Sequence, residues 1–272
     1  MRLILTDLDG TLIDHDTYSA DPARPALDAA AHAGVPVVPC SSKTRAEMHR
    51  LAAALRLEPA PLIAENGGVV WLPADWPAMP VDAVAAPDDA GRLLVLGTPS
   101  ARLRPLIGPL GAAVGRRLRP LSAMSVDEVV ACTGLPPDGA TLARAREFSE
   151  PFVCEPDDVP LDVLQAAARD LGARVTRGGR FFHLLGNSDK GTAVRVLRAA
   201  DARPGRVLGL GDAPNDLALL SACDDAAIVP QPGRGIHPDL AAALPHARRA
   251  PAPGPAGWNV VVLDWLRDTH GA

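Results

Sequence analysis

Residues 2–6 form an unbroken apolar run that stops at Asp7-Leu8-Asp9-Gly10-Thr11. A run without alternation predicts a parallel strand buried on both faces. A helical pattern at 22–33 follows, with Ala26, Leu27 and Ala30 on one face and Gly34 as its C-cap. Residues 35–40 form a second apolar run, ending at Ser41-Ser42-Lys43-Thr44. Pro36 and Pro39 each remove a ladder donor and weaken that strand, but its place between two helices keeps it. Met48, Leu51, Ala52 and Leu55 then recur on one helical face. Residues 61–64 make a third strand before Glu65-Asn66-Gly67-Gly68, and 69–72 extend it or form a hairpin.

The pattern changes near 79–87, where Pro and Ala suggest a hinge. Beyond it, 92–96 and 148–154 are predicted strands, and 100–114, 125–133, 138–147 and 159–171 are predicted helices. Residues 174–176 and 181–185 flank Gly178-Gly179, a hairpin signal. The β-α rhythm then resumes: helix 189–200, strand 207–210, helix 216–223, strand 226–229 and a last helix near 258–267. The expected architecture is α/β: a doubly wound, mostly parallel sheet built from 1–82 and 187–272. An α+β cap is inserted at 83–186.

The 272 residues suit one or two domains. With 27 Lys and Arg against 32 Asp and Glu, the net charge of −5 argues against a nucleic-acid-coating role. No apolar run is long enough for a bilayer, and the N-terminus turns acidic too early for a signal peptide. Cys40, Cys132, Cys154 and Cys223 show no paired or metal spacing. They are expected to be reduced thiols in a cytoplasmic protein.

Candidate chemistry collects where predicted parallel strands end, at Asp7 and Asp9, at Ser41 and at Asp212. That edge is where open α/β sheets bind ligands. Carboxylates gathered there need a cation, and oxygen-only donors favour Mg²⁺. Asp7 is suited to metal ligation and nucleophilic attack, and Asp9 to general acid and base work. Gly10 allows close approach of the backbone to a phosphate.

Asp7-Leu8-Asp9-Gly10-Thr11, Ser41, Lys190 in Ser188-Asp189-Lys190-Gly191-Thr192, and Gly211-Asp212-Ala213-Pro214-Asn215-Asp216 occur in order over some 210 residues. Together they resemble the four motifs of haloacid-dehalogenase-like phosphatases. Residues 40–48, 62–68, 179–185 and 209–216, with Gly254-Pro255-Ala256-Gly257-Trp258, resemble the mannosyl-3-phosphoglycerate phosphatase family within them.

The resemblance implies a Rossmann-like core, a phospho-aspartyl intermediate on Asp7, and Mg²⁺ held by Asp7, the Asp9 carbonyl and Asp212. It implies Ser41 and Lys190 on the phosphoryl oxygens, with Asn215 and Asp216 supporting the metal or Lys190. The substrate would carry a phosphate, a carboxylate and a sugar. Gly10, Thr11, Ser42, Lys43, Glu65, Asn66, Arg177, Arg180 and His183 are the residues expected to bind it. Lys43, Arg177 and Arg180 are the candidates for the carboxylate, and Glu65, Asn66 and His183 for hydroxyls. The implied activity is release of phosphate from mannosyl-3-phosphoglycerate, giving the compatible solute mannosylglycerate. A related sugar-phosphate or glucosyl-3-phosphoglycerate phosphatase, a phosphohexomutase-like transferase and a non-catalytic sugar-phosphate regulator remain as alternatives. Monomer and dimer both remain open.

Overall fold

The computed structural model describes residues 2–57, 59–77, 79–80, 82–85, 91–178, 180–200 and 205–268. Residues 81, 86 and 87 of the expected hinge and Gly179 of the expected turn lie outside them. In chain order the strands are β1 (Leu3–Thr6), β2 (Val37–Pro39), β3 (Leu62–Ala64), β4 (Val69–Pro73), β5 (Val84–Ala85), β6 (Gly91–Val95), β7 (Arg117–Pro120), β8 (Ser149–Glu155), β9 (Arg174–Arg177), β10 (Phe182–Leu185), β11 (Val207–Gly211), β12 (Asp225–Ile228) and β13 (Arg248–Arg249).

The central sheet has the order β13-β12-β11-β1-β2, with every pair parallel. The first apolar run owes its continuity to this position. Ile4 faces a layer built by the helices Arg24–His32 and Gly254–Asp268, while Leu5 faces the layer of Lys190–Ala200 and Leu217–Ser221. Both side chains are wholly buried, which stabilises the fold by about 1.5–3 kcal/mol each. Pro36 and Pro39 fit because of where they fall. Pro36 supplies its carbonyl to Ile4 N–H, and the donor after Pro39 is Cys40 N–H, bonded to Thr6 O.

A bridge from Cys40 to Ile63 carries the layering into an antiparallel sheet of order β3-β4-β6-β5. Leu93 and Leu94 of β6 divide between the same two apolar clusters. Thus β6, in the stretch expected to be inserted, pairs with β4 of the first segment, and β5 joins the same sheet through β6. Beyond them a second antiparallel sheet, β7-β8-β10-β9, has its own core of Leu103, Leu110, Phe152, Leu164, Phe182 and Leu184.

Several local expectations change. The helix expected at 100–114 is interrupted by a tighter turn at Arg104–Leu106, where Pro105 sits. The helix expected at 138–147 closes at Arg144, leaving 145–148 free to reach the core. No helix among the described residues is long and apolar enough to cross a membrane.

Candidate active site

β1 and β11 are parallel neighbours, so their C-terminal ends lie side by side. Asp7, just past β1, donates its N–H to Leu210 O at 2.9 Å, and Asp212 follows β11 directly. Lys190 enters as the first residue of its helix. Its Nζ lies 2.6 Å from Asp7 Oδ1 and 2.7 Å from Asp216 Oδ1, and its side chain is 1% exposed. The other Asp216 oxygen accepts the N–H groups of Asp212 and Ala213, both at 3.1 Å. Asp212 accepts Thr11 Oγ1 at 3.1 Å and Gln231 Nε2 at 3.0 Å. Gly10 holds φ +83°, and an added Cβ would come 3.2 Å from Asp212 Oδ2. A side chain there would therefore crowd the acidic cluster as well as strain the turn.

The charges do not balance among these residues. Asp7, Asp212 and Asp216 offer oxygens within 4.8 Å of one another, against one ammonium. Burial first, and then the charge on Asp216, push the Asp7 carboxyl well above the usual range; Lys190 opposes the shift and Asp212 adds to it. Burial and Asp216 likewise push Asp212 up to about 6. Burial disfavours the Lys190 ammonium, but Asp216 and Asp7 outweigh it and hold Lys190 protonated above its ordinary range. A surplus of buried carboxylate among oxygen donors is the setting that suits a hard divalent cation. Asp216 spends one oxygen on the Lys190 ammonium and the other on two backbone N–H groups. Each Asp212 oxygen takes a single neutral side-chain donor, and Lys190 meets Asp7 at Oδ1, so Asp7 and Asp212 are the side chains best able to ligate one.

Ser41 lies in a turn between the central sheet and the helix Arg45–Leu55. Thr44 caps that helix in a reciprocal box with Glu47. Ser41 N–H donates to Ile63 O, and Lys43 N–H reaches Ser41 Oγ at 3.3 Å. Lys43 Nζ sits 3.0 Å from Asp9 Oδ2. Ser42, Lys43, Asp9, Asn66 and Asn215 line a cleft of about 1120 Å³ that also receives Asp7, Lys190 and Asp212.

Two residues expected at the substrate are placed differently. Thr11 is wholly buried and spends its hydroxyl on Asp212. Glu65 is wholly buried and faces away from the cleft. Its carboxylate accepts Glu147 N–H at 2.8 Å, Phe148 N–H at 3.0 Å and the Ser149 hydroxyl. Glu65, Asn66 and Gly67 all have positive φ, and an added Cβ at Gly67 would fall 2.2 Å from Asp189 O. Glu65 is thus a fastening between the first segment and residues 147–149. Glu65→Ala is expected to destabilise the protein by on the order of 3 kcal/mol, since it strands buried donors. An unchanged denaturant midpoint would show that the carboxylate fastens nothing.

Across the cleft, His183 and Asn66 are buried, and His183 Nδ1 and both polar side-chain atoms of Asn66 have no protein partner. Burial, then the Arg146 and Lys190 charges, lower His183 to about 3, so the ring is neutral. Arg177 pairs with Asp158 at 2.6 Å and lies over the Phe182 ring. Arg180 donates to the Thr133 carbonyl. Both arginines reach the cleft but are already engaged within the inserted region.

A family model described as haloacid dehalogenase-like hydrolase matches residues 4–82. A glucosyl-3-phosphoglycerate/mannosyl-3-phosphoglycerate phosphatase of Methanococcoides burtonii is 35% identical over 270 residues, covering 97% of both chains. The chain belongs to this phosphatase family of haloacid dehalogenase-like hydrolases. A phosphatase of the same description from Persephonella marina is 34% identical over 264 residues, covering 94% of both chains. Among solved structures, a Thermoplasma acidophilum protein superposes with TM-score 0.70 at 17% identity, covering 98% of both chains. The sucrose-phosphatase of Synechocystis sp. PCC6803, in complex with sucrose and phosphate, superposes with TM-score 0.65 at 15% identity, covering 97% of this chain and 98% of its own. These two share the fold.

Two residues of this phosphatase carry no signal in the sequence. Gln231, in the loop after β12, holds both the carboxylate and the carbonyl of Asp212. Arg146 lines the cleft from the inserted region and donates to the Ser42 carbonyl at 2.6 Å.

Proposed function

We propose that this phosphatase hydrolyses mannosyl-3-phosphoglycerate to mannosylglycerate and phosphate, in the cytoplasm, through a phosphoryl group carried on Asp7. The observation that carries the reading is the buried Lys190 between Asp7 and Asp216, with Lys190, Asp7 and Asp212 lining the cleft. It supports a nucleophile held against a fixed cation, in a chain related over its whole length to phosphatases of that description. Glucosyl-3-phosphoglycerate is the second substrate to consider, because the same relatives are named for it.

An Asp7 oxygen attacks phosphorus as the ester bond breaks, and Asp9 gives its proton to the departing glycerate oxygen. Asp9 then takes a proton from water, which attacks the aspartyl phosphate and frees Asp7 and phosphate. Ser41 and Lys190 hold the phosphoryl oxygens; such positioning supplies most of the catalysis in phosphoryl transfer. Asp7 and Asp212, with the Asp9 carbonyl, would hold Mg²⁺. When bound, that ion offsets the charge of the carboxylates and of the phosphoryl group. Asn66 and the neutral His183, with unspent hydrogen-bonding atoms, take substrate hydroxyls. Lys43, Arg177 and Arg180, which line the cleft, are the cations offered to a glycerate carboxylate. The stretch from about 97 to 186 acts as the cap, with β6 retained in the core by its pairing with β4 and β5 by its pairing with β6.

The test is phosphate release with Mg²⁺ from mannosyl-3-phosphoglycerate, glucosyl-3-phosphoglycerate, 3-phosphoglycerate, mannose 6-phosphate and glucose 6-phosphate. The two glycosyl-3-phosphoglycerates are expected to exceed the others in kcat/KM by at least about a hundredfold, a gap that a few lost polar contacts would produce. Equal turnover of the simple hexose phosphates would remove the substrate while leaving the chemistry in place.

A further inference from the structure

The turn that carries Ser41 is pinned at three successive carbonyls. Ser41 O accepts Asn66 N–H and Lys43 O accepts Glu65 N–H, both at 2.9 Å. The carbonyl between them, on Ser42, accepts Arg146 Nη1 at 2.6 Å. Two of the three pins therefore come from the core, and the third comes from the cap.

The Arg146 side chain is 8% exposed and is itself held in place. Its Nε donates to Ala143 O at 2.7 Å, and a terminal nitrogen lies 3.8 Å from Glu47. The neighbouring cap residues close the circuit. Thr44 Oγ1 donates to Leu142 O at 3.0 Å, Arg45 pairs with Glu147, and Glu65 takes the N–H groups of Glu147 and Phe148. Residues 142–149 are thus bonded both to the Ser41 turn and to the Glu65–Gly67 turn that supports it.

We propose that Arg146 is a positioning residue for the phosphate-binding turn: by holding the Ser42 carbonyl it sets the aim of Ser41, so that correct seating of the cap and binding of the phosphoryl group depend on one side chain. A planar guanidinium suits the task, because it donates to Ser42 and Ala143 at once while its charge faces Glu47. The cleft has other cations, but among the described residues Arg146 is the one from the cap whose side chain donates to a carbonyl of the turn. It acts without touching the phosphoryl group. The inference rests on the proposed role of Ser41 as a phosphoryl ligand.

The test is a double-mutant cycle on the full-length protein, reading the Kd of inorganic phosphate by calorimetry in the presence of Mg²⁺, with the thermal midpoint of each variant alongside. Ser41→Ala and Arg146→Met are each expected to weaken phosphate about tenfold, the size of one hydrogen bond to a charged group. If Arg146 acts through Ser41, the double variant will bind only slightly more weakly than Ser41→Ala, well short of the roughly hundredfold loss that independent effects would give. Arg146→Lys keeps the charge but loses the fork that holds Ser42 and Ala143 at once, and should recover only part of the Arg146→Met loss.

A hundredfold loss in the double variant would mean that Arg146 contacts phosphate directly, and would overturn the proposal. So would an unchanged Kd in Arg146→Met, whether or not its midpoint falls. If Ser41→Ala itself leaves the Kd unchanged, the phosphate role of Ser41 fails first and the proposal fails with it. The two failures are distinguished by which single variant is silent.

Discussion

Asp7→Asn is expected to abolish phosphate release, by roughly four orders of magnitude or more, while the thermal midpoint in metal-free buffer holds or rises. The two halves have one cause. Asp7 is the proposed nucleophile, and an amide oxygen in its place cannot carry the phosphoryl group through the cycle. Yet the carboxylate is an electrostatic burden on the folded chain, pushed up by burial and by the Asp216 and Asp212 charges. Asn removes that repulsion and leaves Lys190 paired with Asp216 at 2.7 Å. Phosphate release and a melting curve on one preparation check both. Appreciable turnover would refute the nucleophile, and a large fall in midpoint would show that the loss was one of folding.

Lys190→Met is expected to impair activity and stability together. Met fills much of the space of the lysine stem but leaves Asp7, Asp212 and Asp216 facing one another with no cation from the chain. Removing one partner of a buried ion pair costs about 3–5 kcal/mol, which lowers the midpoint of a chain this size by on the order of 10 °C. Loss of a phosphoryl-oxygen donor should also reduce kcat by about 10²- to 10³-fold. Lys190→Met combined with Asp216→Asn should recover much of the midpoint and little of the activity. If the single variant melts like the wild type, the buried triad does not organise the fold. If the double variant regains turnover, Lys190 has no role at phosphorus.

The central layers were legible because their cause is local. An unbroken apolar run from 2 to 6 has few other uses than a strand covered on both sides, and Ile4 and Leu5 do divide between the two layers. Asp7 and Asp212 follow two such strands that are parallel neighbours, and Lys190 opens the helix of the adjoining layer, which brings it to Asp7 across 183 residues. Glu65 shows where that reasoning stops. An acid before Asn-Gly marks a turn, but the side that the turn presents depends on three successive positive φ values, and Asn66 and Gly67 are residue types that favour one while Glu65 is not. Gln231 and Arg146 act across long loops and a domain junction, with no period or neighbour to mark them. Arg146 stands two residues from Arg144, and only the seating of the cap decides which of them meets Ser42. β6 was visible as a strand, but its partner was not, because pairing with β4 is a property of the sheet and not of either segment.

Trp258, fully buried, donates its indole N–H to Thr6 Oγ1 at 3.0 Å, and that hydroxyl donates in turn to the Asp7 carbonyl at 2.7 Å. β1 is bonded on one side to β11, which begins at Val207. On a ribosome, then, the strand that aims Asp7 emerges well ahead of β11, and 252 residues ahead of the brace at Trp258. The cap, with its separate apolar core and strands drawn from one continuous stretch, can close long before that. The acidic cluster therefore forms only after the cap has emerged. A chain halted before residue 207 would present a finished cap on an unfinished core, with no acidic cluster to bind a cation.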